Sequence, residues 1–507
     1  MSEVPEGLEV AATNSRPARP SASLMLTRDS PNGLEVLLCH RVEELPAFPG
    51  YWAFSGGGIS RVDRAAADEI FPEMSDRDLA ASLIGMQREL CEELGFVINS
   101  GKLEIANDSS RDRVLQGKEG WFEENRVGNL PCSSAINTIC MRTTPNFSPM
   151  RFANRFMHFH AGANVPEPIL SGQTEFDAYR WDRPSNFLAE WRQHAIKIPP
   201  PIITILQELQ QGLEIHSGDM SEAIEDISNN TSERSILFAH GVECVPVPTH
   251  TLPPASTTNT YIIGAGGDHI IVDAAARTSI GLEKISRAIT RIELQGGRIV
   301  GLLFTHRHLD HVGDIGELQK LGPFPIMASS ETAAAISGRI DRILVDGDAI
   351  TLASPEGDIE WQVLVTPGHC DGHICLLSKA GLVAGDMVAG IGTILIPPQE
   401  GSMEEYLEQL GRLKSLQPHL MFPSHGVILP LPQTTLDHYI SHRVLRHEKV
   451  LEAVKSGLTS LDEIATIAYD DSPEANPILA QQQTLSHLLS HHRAGKVENG
   501  VSGWYCC

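Results

Sequence analysis

The sequence predicts a multidomain protein that combines the α/β and α+β classes, and three observations support this prediction. With 507 residues, the chain is long enough for two to four domains. Several short apolar runs, typical of buried strands, end at histidine or aspartate, and open α/β sheets place their sites at such strand ends. After residue 430 the pattern becomes helical, as in LDHYISHRVLRHEKVLEAVKSG.

Composition and charge limit the functional class. Hydrophobic residues make up 41% and charged residues 20% of the chain, and the formal charge of -25 argues against general binding to nucleic acids or membrane surfaces. No apolar run approaches the ~18 residues of a membrane helix, and MSEVPEGLEVAATNSRPARP lacks the pattern of a secretory signal. The nine scattered cysteines include no CxxC pair, which predicts reduced thiols and a cytoplasmic location.

A change in composition divides the chain. Residues 212–235, GLEIHSGDMSEAIEDISNNTSERS, are polar and acidic and predict a linker with room for a short helix. We therefore expect a first domain over residues 20–210, a linker over 211–235, a second domain over 236–430 and a small helical domain over 431–507.

A cluster of carboxylates lies in the first domain. The helical segment LAASLIGMQRELCEELGFVI carries Arg88, Glu89, Glu92 and Glu93, and the spacing of the glutamates places all three carboxylates on one helical face. Mg²⁺ favours carboxylate oxygens together with phosphate oxygens and water, so the face is a candidate Mg²⁺ or Mn²⁺ site. A solvated acidic face with no metal is the alternative.

The context of this helix carries a resemblance. An apolar strand and a second one ending in Gly56, Gly57 and Gly58 precede RELCEELG, which resembles the Nudix box, a signature of nucleoside diphosphate-linked hydrolases. RTTPNFSPMRFANRFMHFHAG and WDRPSNFLAEWRQHAIKIPPP look like the branch that includes peroxisomal coenzyme A diphosphatases. The resemblance implies an α/β/α sandwich in which Glu89, Glu92 and Glu93 hold Mg²⁺ against a diphosphate, with one of them acting as base.

The box also departs from the Nudix pattern. Its glycine and arginine are normally about fourteen positions apart, whereas Gly57 and Arg88 are separated by 31, with RAAADEIFPEMSDRDLAA as an insertion between them. The carboxylate after the glycine would be Asp63 rather than a glutamate. These differences leave the substrate and the activity of this domain open.

The second domain carries a dense group of histidines and aspartates. FTHRHLDHVGD follows the strand-like GGRIVGLLF, and three later strand-like runs end in TPGH, AGD and PSHG. Four strand ends thereby supply seven nitrogen or oxygen ligands: His306, His308, Asp310, His311, His369, Asp386 and His425. This number suits two metal ions about 3.5–4 Å apart. Ligand type favours zinc, with iron or manganese as alternatives, and a purely structural role for each histidine is the competing interpretation.

THRHLDH followed in order by TPGH, AGD and PSHG resembles the metallo-β-lactamase superfamily over about residues 236–430. The resemblance implies an αββα sandwich. It implies one metal on His306, His308 and His369, a second on Asp310, His311 and His425, and Asp386 as the bridge, with Asp310 also counted as catalytic. Asp273, after the strand-like HIIV, would support the site without binding metal.

The region after the AGD motif has a narrower similarity. GDMVAGIGTILIPPQEGSMEEYLEQLGRL, YISHRVLRHEKVLEAV and a tail containing GKVENG as a short wing resemble the lactamase-beta-like branch with a winged-helix-like domain. Some members of that branch are endoribonucleases. From Thr435 to Cys507, however, there are six Lys or Arg against nine Asp or Glu, which disfavours a nucleic-acid-reading surface. The tail is then a wall or lid over the active site, or a packing module with no catalytic part.

These features predict a bifunctional metal-dependent hydrolase. Two dications lower the pKa of a bound water, and hydroxide then attacks an ester or thioester in the second domain, while the first domain hydrolyses a diphosphate. An acyl-coenzyme A carries both groups, so the expected partner is a small molecule of this kind or a nucleoside diphosphate derivative, and not a membrane. The alternative is an endoribonuclease regulated by a nucleotide-sensing Nudix domain. Oligomeric state is left open.

Overall fold

The computed structural model describes residues 17–118, 120–121, 136–501 and 503–507. The chain folds into two compact units, an N-terminal unit of Ser15–Asn146 and Met150–His240 and a C-terminal unit that is mainly Gly241–Cys507. Residues 1–16, which form most of the segment that lacks a secretory-signal pattern, lie outside the described residues. Within the described part of the chain, no helix is both long enough and apolar enough to cross a bilayer.

The N-terminal unit contains ten strands and six helices among its described residues. Its strands are β1 Arg19–Ser30, β2 Gly33–Arg41, β3 Trp52–Ala53, β4 Ser55–Gly58, β5 Phe96–Asn99, β6 Lys102–Ile105, β7 Ile136–Thr143, β8 Phe152–His160, β9 Phe176–Asp182 and β10 Ile236–Ala239. Its helices are α1 Arg61–Ile70, α2 Arg77–Leu94, α3 Asp108–Leu115, α4 Pro184–Arg192, α5 Pro200–Ile215 and α6 Met220–Asn229.

Strand β1 is the centre of the main sheet of this unit. The sheet has the order β3-β2-β1-β8-β7, with β4 also paired to β1 and β9 to β2. Successive side chains of a strand point to opposite faces, so Leu24 and Leu26 enter the core that contains α2, whereas Met25 enters the core that contains α5 and α6. The sheet therefore lies between two helical layers.

Helix α2, which carries the glutamates, has strong signals at both ends. The Asp76 side chain accepts a hydrogen bond from the Leu79 amide at the start, and Gly95 ends the helix in the left-handed conformation with φ 67°. The predicted insertion forms most of α1 and the first turns of α2, and a reciprocal capping box between Ser60 and Asp63 starts α1. The insertion is thus regular structure packed beside α2.

Residues 211–235, for which the composition predicts a linker, contain the end of α5 and all of α6. Ala223, Ile224 and Ile227 of α6 are buried and belong to the same hydrophobic core as α5. Their spacing places them on one side of the helix, while the polar residues that suggested a linker occupy the other side.

The C-terminal unit contains thirteen strands and eight helices among its described residues. Its strands are β11 Val242–Pro248, β12 Thr257–Gly264, β13 Asp268–Val272, β14 Arg298–Leu303, β15 Ile326–Ala328, β16 Arg342–Ile343, β17 Ala349–Leu352, β18 Ile359–Val365, β19 Ile374–Ser378, β20 Gly381–Gly385, β21 Met421–Pro423, β22 Val497–Gly500 and β23 Gly503–Cys506. Its helices are α7 Ser279–Leu294, α8 Leu309–Val312, α9 Ile315–Leu318, α10 Ser330–Ala335, α11 Met403–Ser415, α12 Pro432–Lys455, α13 Leu461–Ala468 and α14 Pro477–Arg493.

Two sheets pack together in this unit. One includes the order β11-β12-β13-β14-β15-β16, and the other has the order β17-β18-β19-β20-β21. They meet where the Tyr261 hydroxyl and the side-chain Nδ2 of Asn259, both on β12, donate to the Pro423 carbonyl at the end of β21. All eight residues of β12 are buried, as expected of a strand covered on both faces.

The four strands predicted to precede the candidate ligands are present as β14, β18, β20 and β21. The helical pattern predicted after residue 430 is also confirmed by α12, α13 and α14, and a β22–β23 hairpin follows. Asn476 caps α14 by accepting from the Ile478 amide, and Pro477 occupies its first turn. These elements belong to the same compact unit as the two sheets.

Candidate functional site

The structure brings all seven predicted ligands of the C-terminal unit into one buried pocket. Their side chains form three groups in which the ligand atoms lie within 4.8 Å of one another: His306, His308 and His369; His306, His311 and Asp386; and Asp310, His311 and His425. All seven residues are at least 95% buried. The convergence arises because the loops after β14, β18, β20 and β21 meet at the same edge of the two packed sheets.

The first group has the dimensions of a single metal site. The Nδ1 atom of His308 lies 3.0 Å from Nε2 of His306 and 3.1 Å from Nε2 of His369. In a zinc site each nitrogen lies about 2.0–2.1 Å from the ion. Two nitrogens bound to one ion are then separated by a distance close to those seen here.

Asp386 lies between this group and the group of Asp310, His311 and His425. One carboxylate oxygen, Oδ2, lies 3.7 Å from Nε2 of His369 and 3.5 Å from Nε2 of His311. The other, Oδ1, lies 3.6 Å from Nε2 of His425, which is itself 3.6 Å from Oδ2 of Asp310. A single carboxylate therefore contacts both groups of ligands.

Several of these buried polar atoms have no hydrogen-bond partner among the described residues. They are both carboxylate oxygens of Asp386, Oδ2 of Asp310 and Nε2 of His311. Buried polar groups are normally satisfied, and leaving a carboxylate oxygen unpaired costs more than leaving a neutral group unpaired. Buried nitrogen and oxygen atoms that face one another with no hydrogen-bond partner are the donor set of a divalent metal, so the residues present fit the two ions.

Each of the five ligand histidines contacts a group outside the three ligand groups through its second ring nitrogen. The partners are Oγ1 of Thr305 for His306, Glu400 for His308, Asp273 for His311, the Leu395 carbonyl for His369 and the Thr257 carbonyl for His425. Such contacts fix the ring orientation and the tautomer of a metal-binding histidine. They leave one nitrogen of every ring directed into the centre.

Asp273 supports His311 and does not belong to any of the three ligand groups. Its Oδ2 lies 2.9 Å from Nδ1 of His311, and the same carboxylate accepts from the backbone amide and the hydroxyl of Thr305. Asp273 adopts φ 50°, a conformation that costs energy for a residue other than glycine. These hydrogen bonds to its side chain, with a further one from the Ser424 hydroxyl, offset this cost.

Burial and neighbouring charges shift the pKa values of the pocket in opposite directions. Burial lowers the pKa of His369 to about 4, and the adjacent His308 acts in the same direction. Burial also lowers the pKa of His306 well below its usual value. For His311, burial is outweighed by Asp386, Asp310 and Asp273, which raise its pKa well above the usual value. In turn, His311 and His425 hold the pKa of Asp386 well below its usual range despite burial.

Two residues of the pocket were missed by sequence reasoning. Glu400 accepts from Arg307 and lies 3.0 Å from Nε2 of His308. His373 is fully buried, and its Nε2 accepts from the Asp386 amide while Nδ1 contacts the Thr366 hydroxyl at 2.8 Å. Glu400 stands in the loop PPQEGS with no local motif around it, whereas the repetition of glycine and histidine in PGHCDGH was a signal for His373.

A small hollow, open to solvent, lies beside Asp386 and His425. The other residues that line it are Thr251, Leu252, Pro253, Pro254, Ala255, Ala389, Ile391, Gly392, Thr393 and Ile394. No Lys or Arg occurs among these described lining residues. The accessible wall of the hollow is about half apolar and half polar, with the ligands at one end.

In the N-terminal unit, Arg88 connects the predicted carboxylates. Its guanidinium forms two contacts with Asp63, at 2.8 and 3.2 Å, and further contacts with Glu89 at 2.8 Å and Glu92 at 3.3 Å. In the described part of the chain, the three glutamates are not among the groups whose ligand atoms come within 4.8 Å of one another. Glu89 and Glu92 both contact Arg88, and Glu89 and Glu93 also lie near the glycines of β4.

Glu93 and Glu89 are held closely against β4. One oxygen of Glu93 accepts from the Ser55 hydroxyl at 2.5 Å and the Gly56 amide at 3.0 Å, and the other is buried with no hydrogen-bond partner among the described residues. Burial raises the pKa of Glu93 well above its usual value and that of Glu89 to about 7, although Arg88 opposes the shift of Glu89. Buried carboxylates with an unpaired oxygen fit a divalent cation, whose charge would offset their desolvation.

Comparisons with known proteins bear on the C-terminal unit. Residues 253–425 match the model of the metallo-beta-lactamase superfamily, and the match ends at His425. This part of the chain is a metallo-beta-lactamase superfamily domain. The chain is accordingly a metal-dependent hydrolase, as the ligand set predicts, and its His and Asp cluster fits metal binding.

Two curated relatives align over about half of the chain. A beta-lactamase-like protein 2 homolog from Caenorhabditis elegans is 26% identical, over 48% of this chain and 81% of the relative. An atrochrysone carboxyl ACP thioesterase from Aspergillus chevalieri is 25% identical, over 49% of this chain and 81% of that protein.

Two solved structures each resemble part of the chain. A beta-lactamase domain protein from Burkholderia ambifaria is 22% identical with a TM-score of 0.46, over 54% of this chain and 94% of that chain. A NUDIX hydrolase from Alicyclobacillus acidocaldarius is 24% identical with a TM-score of 0.33, over 39% of this chain and 92% of that chain.

Proposed function

We propose that the C-terminal unit hydrolyses a small acyl ester or thioester at a centre of two metal ions. The observation that carries this proposal is the contact of Asp386 with both ligand groups, together with the unpaired buried atoms of Asp386, Asp310 and His311. His306, His308 and His369 would hold one ion and Asp310, His311 and His425 the other, with Asp386 shared. Zinc suits these ligands best, and iron or manganese also accept them.

When bound, two dications lower the pKa of a coordinated water toward neutrality and polarise the oxygen of the group under attack. The chain contributes orientation and charge. Thr305, Asp273 and the carbonyls of Thr257 and Leu395 hold the histidine rings in place. Asp310 and Asp386 contribute two negative charges to the ligand set, and Asp310 is the candidate to receive a proton during turnover.

The hollow beside the ligands supports an acyl substrate. Leu252, Pro253, Ile391 and Ile394 contribute apolar side chains to its wall, and these suit the hydrocarbon part of an acyl substrate. A phosphodiester backbone would require basic residues, and the described lining contains none. The relative from Aspergillus chevalieri, which is named as an ACP thioesterase, agrees with a thioester substrate.

A panel of acyl-coenzyme A and acyl-pantetheine thioesters, followed by detection of the released thiol, tests this function in the full chain loaded with Zn²⁺. We expect turnover that is lost in His311→Ala and kept in His438→Ala, because His438 is exposed on α12 away from the ligands. Cleavage of single-stranded RNA with no thioester turnover would favour the endoribonuclease alternative. The absence of turnover on the entire panel would contradict the proposal.

A second proposed function concerns the N-terminal unit. We propose that Glu89, Glu92 and Glu93 hold Mg²⁺ or Mn²⁺ for hydrolysis of a diphosphate, as the resemblance of RELCEELG to the Nudix box implies. The buried and unpaired oxygen of Glu93 supports a cation at this place, and Arg88 supplies a positive charge that holds Asp63, Glu89 and Glu92 together. An acyl-coenzyme A contains both a thioester and a diphosphate, which links the two units through one class of substrate.

Coenzyme A and ADP-linked substrates, with Mg²⁺ and chromatographic detection of 3′,5′-ADP, AMP and phosphopantetheine, test the second function. Glu93→Gln keeps the size of the side chain but removes its charge, so we expect loss of diphosphate cleavage with unchanged thioester turnover. Glu69→Gln, on the exposed surface of α1, is the matched control. Tight nucleotide binding without cleavage would instead indicate a sensing role for this unit.

A further inference from the structure

The segment of residues 394–400 connects two ligands of the first metal group to the rest of the C-terminal unit. The Leu395 carbonyl lies 2.8 Å from Nδ1 of His369, and the Glu400 carboxylate lies 3.0 Å from Nε2 of His308. In each ring the nitrogen that faces the metal group is the other one. The direction of these two rings therefore depends on where the 394–400 segment is held.

Helices α12 and α14 hold this segment by its backbone, on both sides of Leu395. On one side, the Arg443 guanidinium of α12 donates to the Ile394 carbonyl. On the other side, Ile396 is bound twice by α14, because its amide donates to Oε1 of Gln483 at 3.1 Å and its carbonyl accepts from the Ser486 hydroxyl at 2.5 Å. The peptide groups before and after Leu395 are thus held by side chains of the tail.

All three of these side chains are buried. Arg443 is 2% exposed, and Gln483 and Ser486 are each 4% exposed, so water does not compete for their hydrogen bonds. Loss of one of them leaves a backbone group of Ile396 or Ile394 buried and unpaired, and the segment has to move to satisfy it. A movement of the segment would displace the Leu395 carbonyl from His369.

We infer that Gln483, Ser486 and Arg443 are positioning residues for His369, and that α12 and α14 are therefore a working part of the metal centre. The inference rests on the proposed role of His369 as a metal ligand. The sequence left two roles open for the tail of residues 431–507, a wall or lid over the active site or a packing module. The inference favours a role at the active site, because a packing module alone would not set the orientation of a ligand. Partners of metal-binding histidines typically change metal affinity 10–100-fold when they are removed.

Ser486→Ala is the smallest change that tests the inference, because it removes one hydroxyl from α14. Ser486→Thr retains the hydroxyl and serves as the conservative variant. Ser490→Ala is the matched control: Ser490 lies one turn further along α14 and is also buried, but its hydroxyl contacts Glu404 and not the 394–400 segment. Gln483→Ala provides an independent second variant at the Ile396 amide.

The measurements are Zn²⁺ affinity by competition with a chromogenic chelator and the visible absorption spectrum of the Co²⁺-substituted full chain. For Ser486→Ala and Gln483→Ala we expect the Kd of one of the two ions to rise about 10-fold or more, with a changed Co²⁺ spectrum. Ser486→Thr should lie within about twofold of the wild type, as should Ser490→Ala. Thermal unfolding of each apo variant reports any loss of folding.

Two results are distinguishable. If the wild type binds Zn²⁺ but Ser486→Ala and Gln483→Ala match Ser490→Ala in affinity and spectrum, the positioning role is wrong and the tail only packs. If the wild type takes up neither Zn²⁺ nor Co²⁺, the proposed metal centre itself fails.

Discussion

Oε1 of Glu400 lies 3.0 Å from Nε2 of His308, and the same carboxylate pairs with Arg307. These two neighbours outweigh burial and lower the pKa of Glu400 to about 2. A carboxylate that accepts from the outer nitrogen of His308 holds Nδ1 toward His306 and His369, and it increases the basicity of the ring as a ligand.

Glu400→Ala is expected to weaken Zn²⁺ binding by roughly 10–100-fold, because the His308 ring loses its acceptor. Glu400→Gln keeps an oxygen that accepts from Nε2 and should have a smaller effect. Chelator competition measures both, with Glu405→Ala as the control, since Glu405 is exposed in the same part of the chain. Equal affinities for Glu400→Ala and Glu405→Ala would show that the contact does not orient the ligand.

Removal of metal is expected to destabilise the C-terminal unit. Both oxygens of Asp386 are buried without a hydrogen-bond partner in the described part of the chain, so an ion that binds only the folded state stabilises it. At a free Zn²⁺ concentration about 1,000 times the Kd, this contribution is about 4 kcal/mol. Calorimetry with and without a chelator should show the fall in Tm, in His438→Ala as in the wild type. If a chelator lowered the Tm of His311→Ala by the same amount as that of the wild type, His311 would not be a metal ligand.

Gly57→Ala should reduce the proposed diphosphate activity, because a Cβ at this position would lie 2.2 Å from Oε1 of Glu89 and displace the carboxylate. Displacement by about 1 Å can cost up to roughly 100-fold in rate. The neighbouring Gly58→Ala is a control of the same chemistry, since its Cβ would meet nothing within 4 Å. Mg²⁺-dependent cleavage should fall only in Gly57→Ala; equal rates in the two variants would mean that Glu89 has no part in the reaction.

His158 is expected to make the stability of the N-terminal unit depend on pH. Burial, with a smaller effect of His160, lowers the pKa of His158 from 6.5 to about 3. The unfolded chain therefore takes up a proton near pH 6.5 that the folded state takes up only near pH 3. This contribution to stability is complete above pH 6.5 and is lost as the pH falls toward 3, by about 2 kcal/mol at pH 5.

Urea unfolding at pH 7 and pH 5 measures this effect. His158→Gln should be less stable than the wild type at pH 7, because Thr27 loses a buried partner at 2.8 Å, but it should lose about 2 kcal/mol less between the two pH values. His438→Gln, at an exposed position of the other unit, should retain the dependence of the wild type. An unchanged pH dependence in His158→Gln would mean that the imidazole is protonated in the folded state.

The elements that carry the candidate ligands could be predicted from the sequence. Strands β14, β18, β20 and β21 are short apolar runs followed by His, Asp or a turn, and α14 begins with Asn476 and Pro477, so each signal lies within a few neighbouring residues. The order of the motifs also predicted which residues would meet. In α6 the local signals disagreed, since its polar composition predicted a linker while Ala223, Ile224 and Ile227 form a buried stripe.

The sequence by itself determined the ligand types, the strands that precede them and the helical tail, because apolar periodicity, caps and side-chain chemistry act over short distances along the chain. Only the tertiary structure decided how each ligand is oriented. His308 meets Glu400 across 92 residues, His311 meets Asp273 across 38, and His369 meets a carbonyl 26 residues away. Any of several carboxylates or carbonyls has the chemistry for these roles. The choice among them is made by the packing of two sheets and the tail, which brings particular distant groups within hydrogen-bond range.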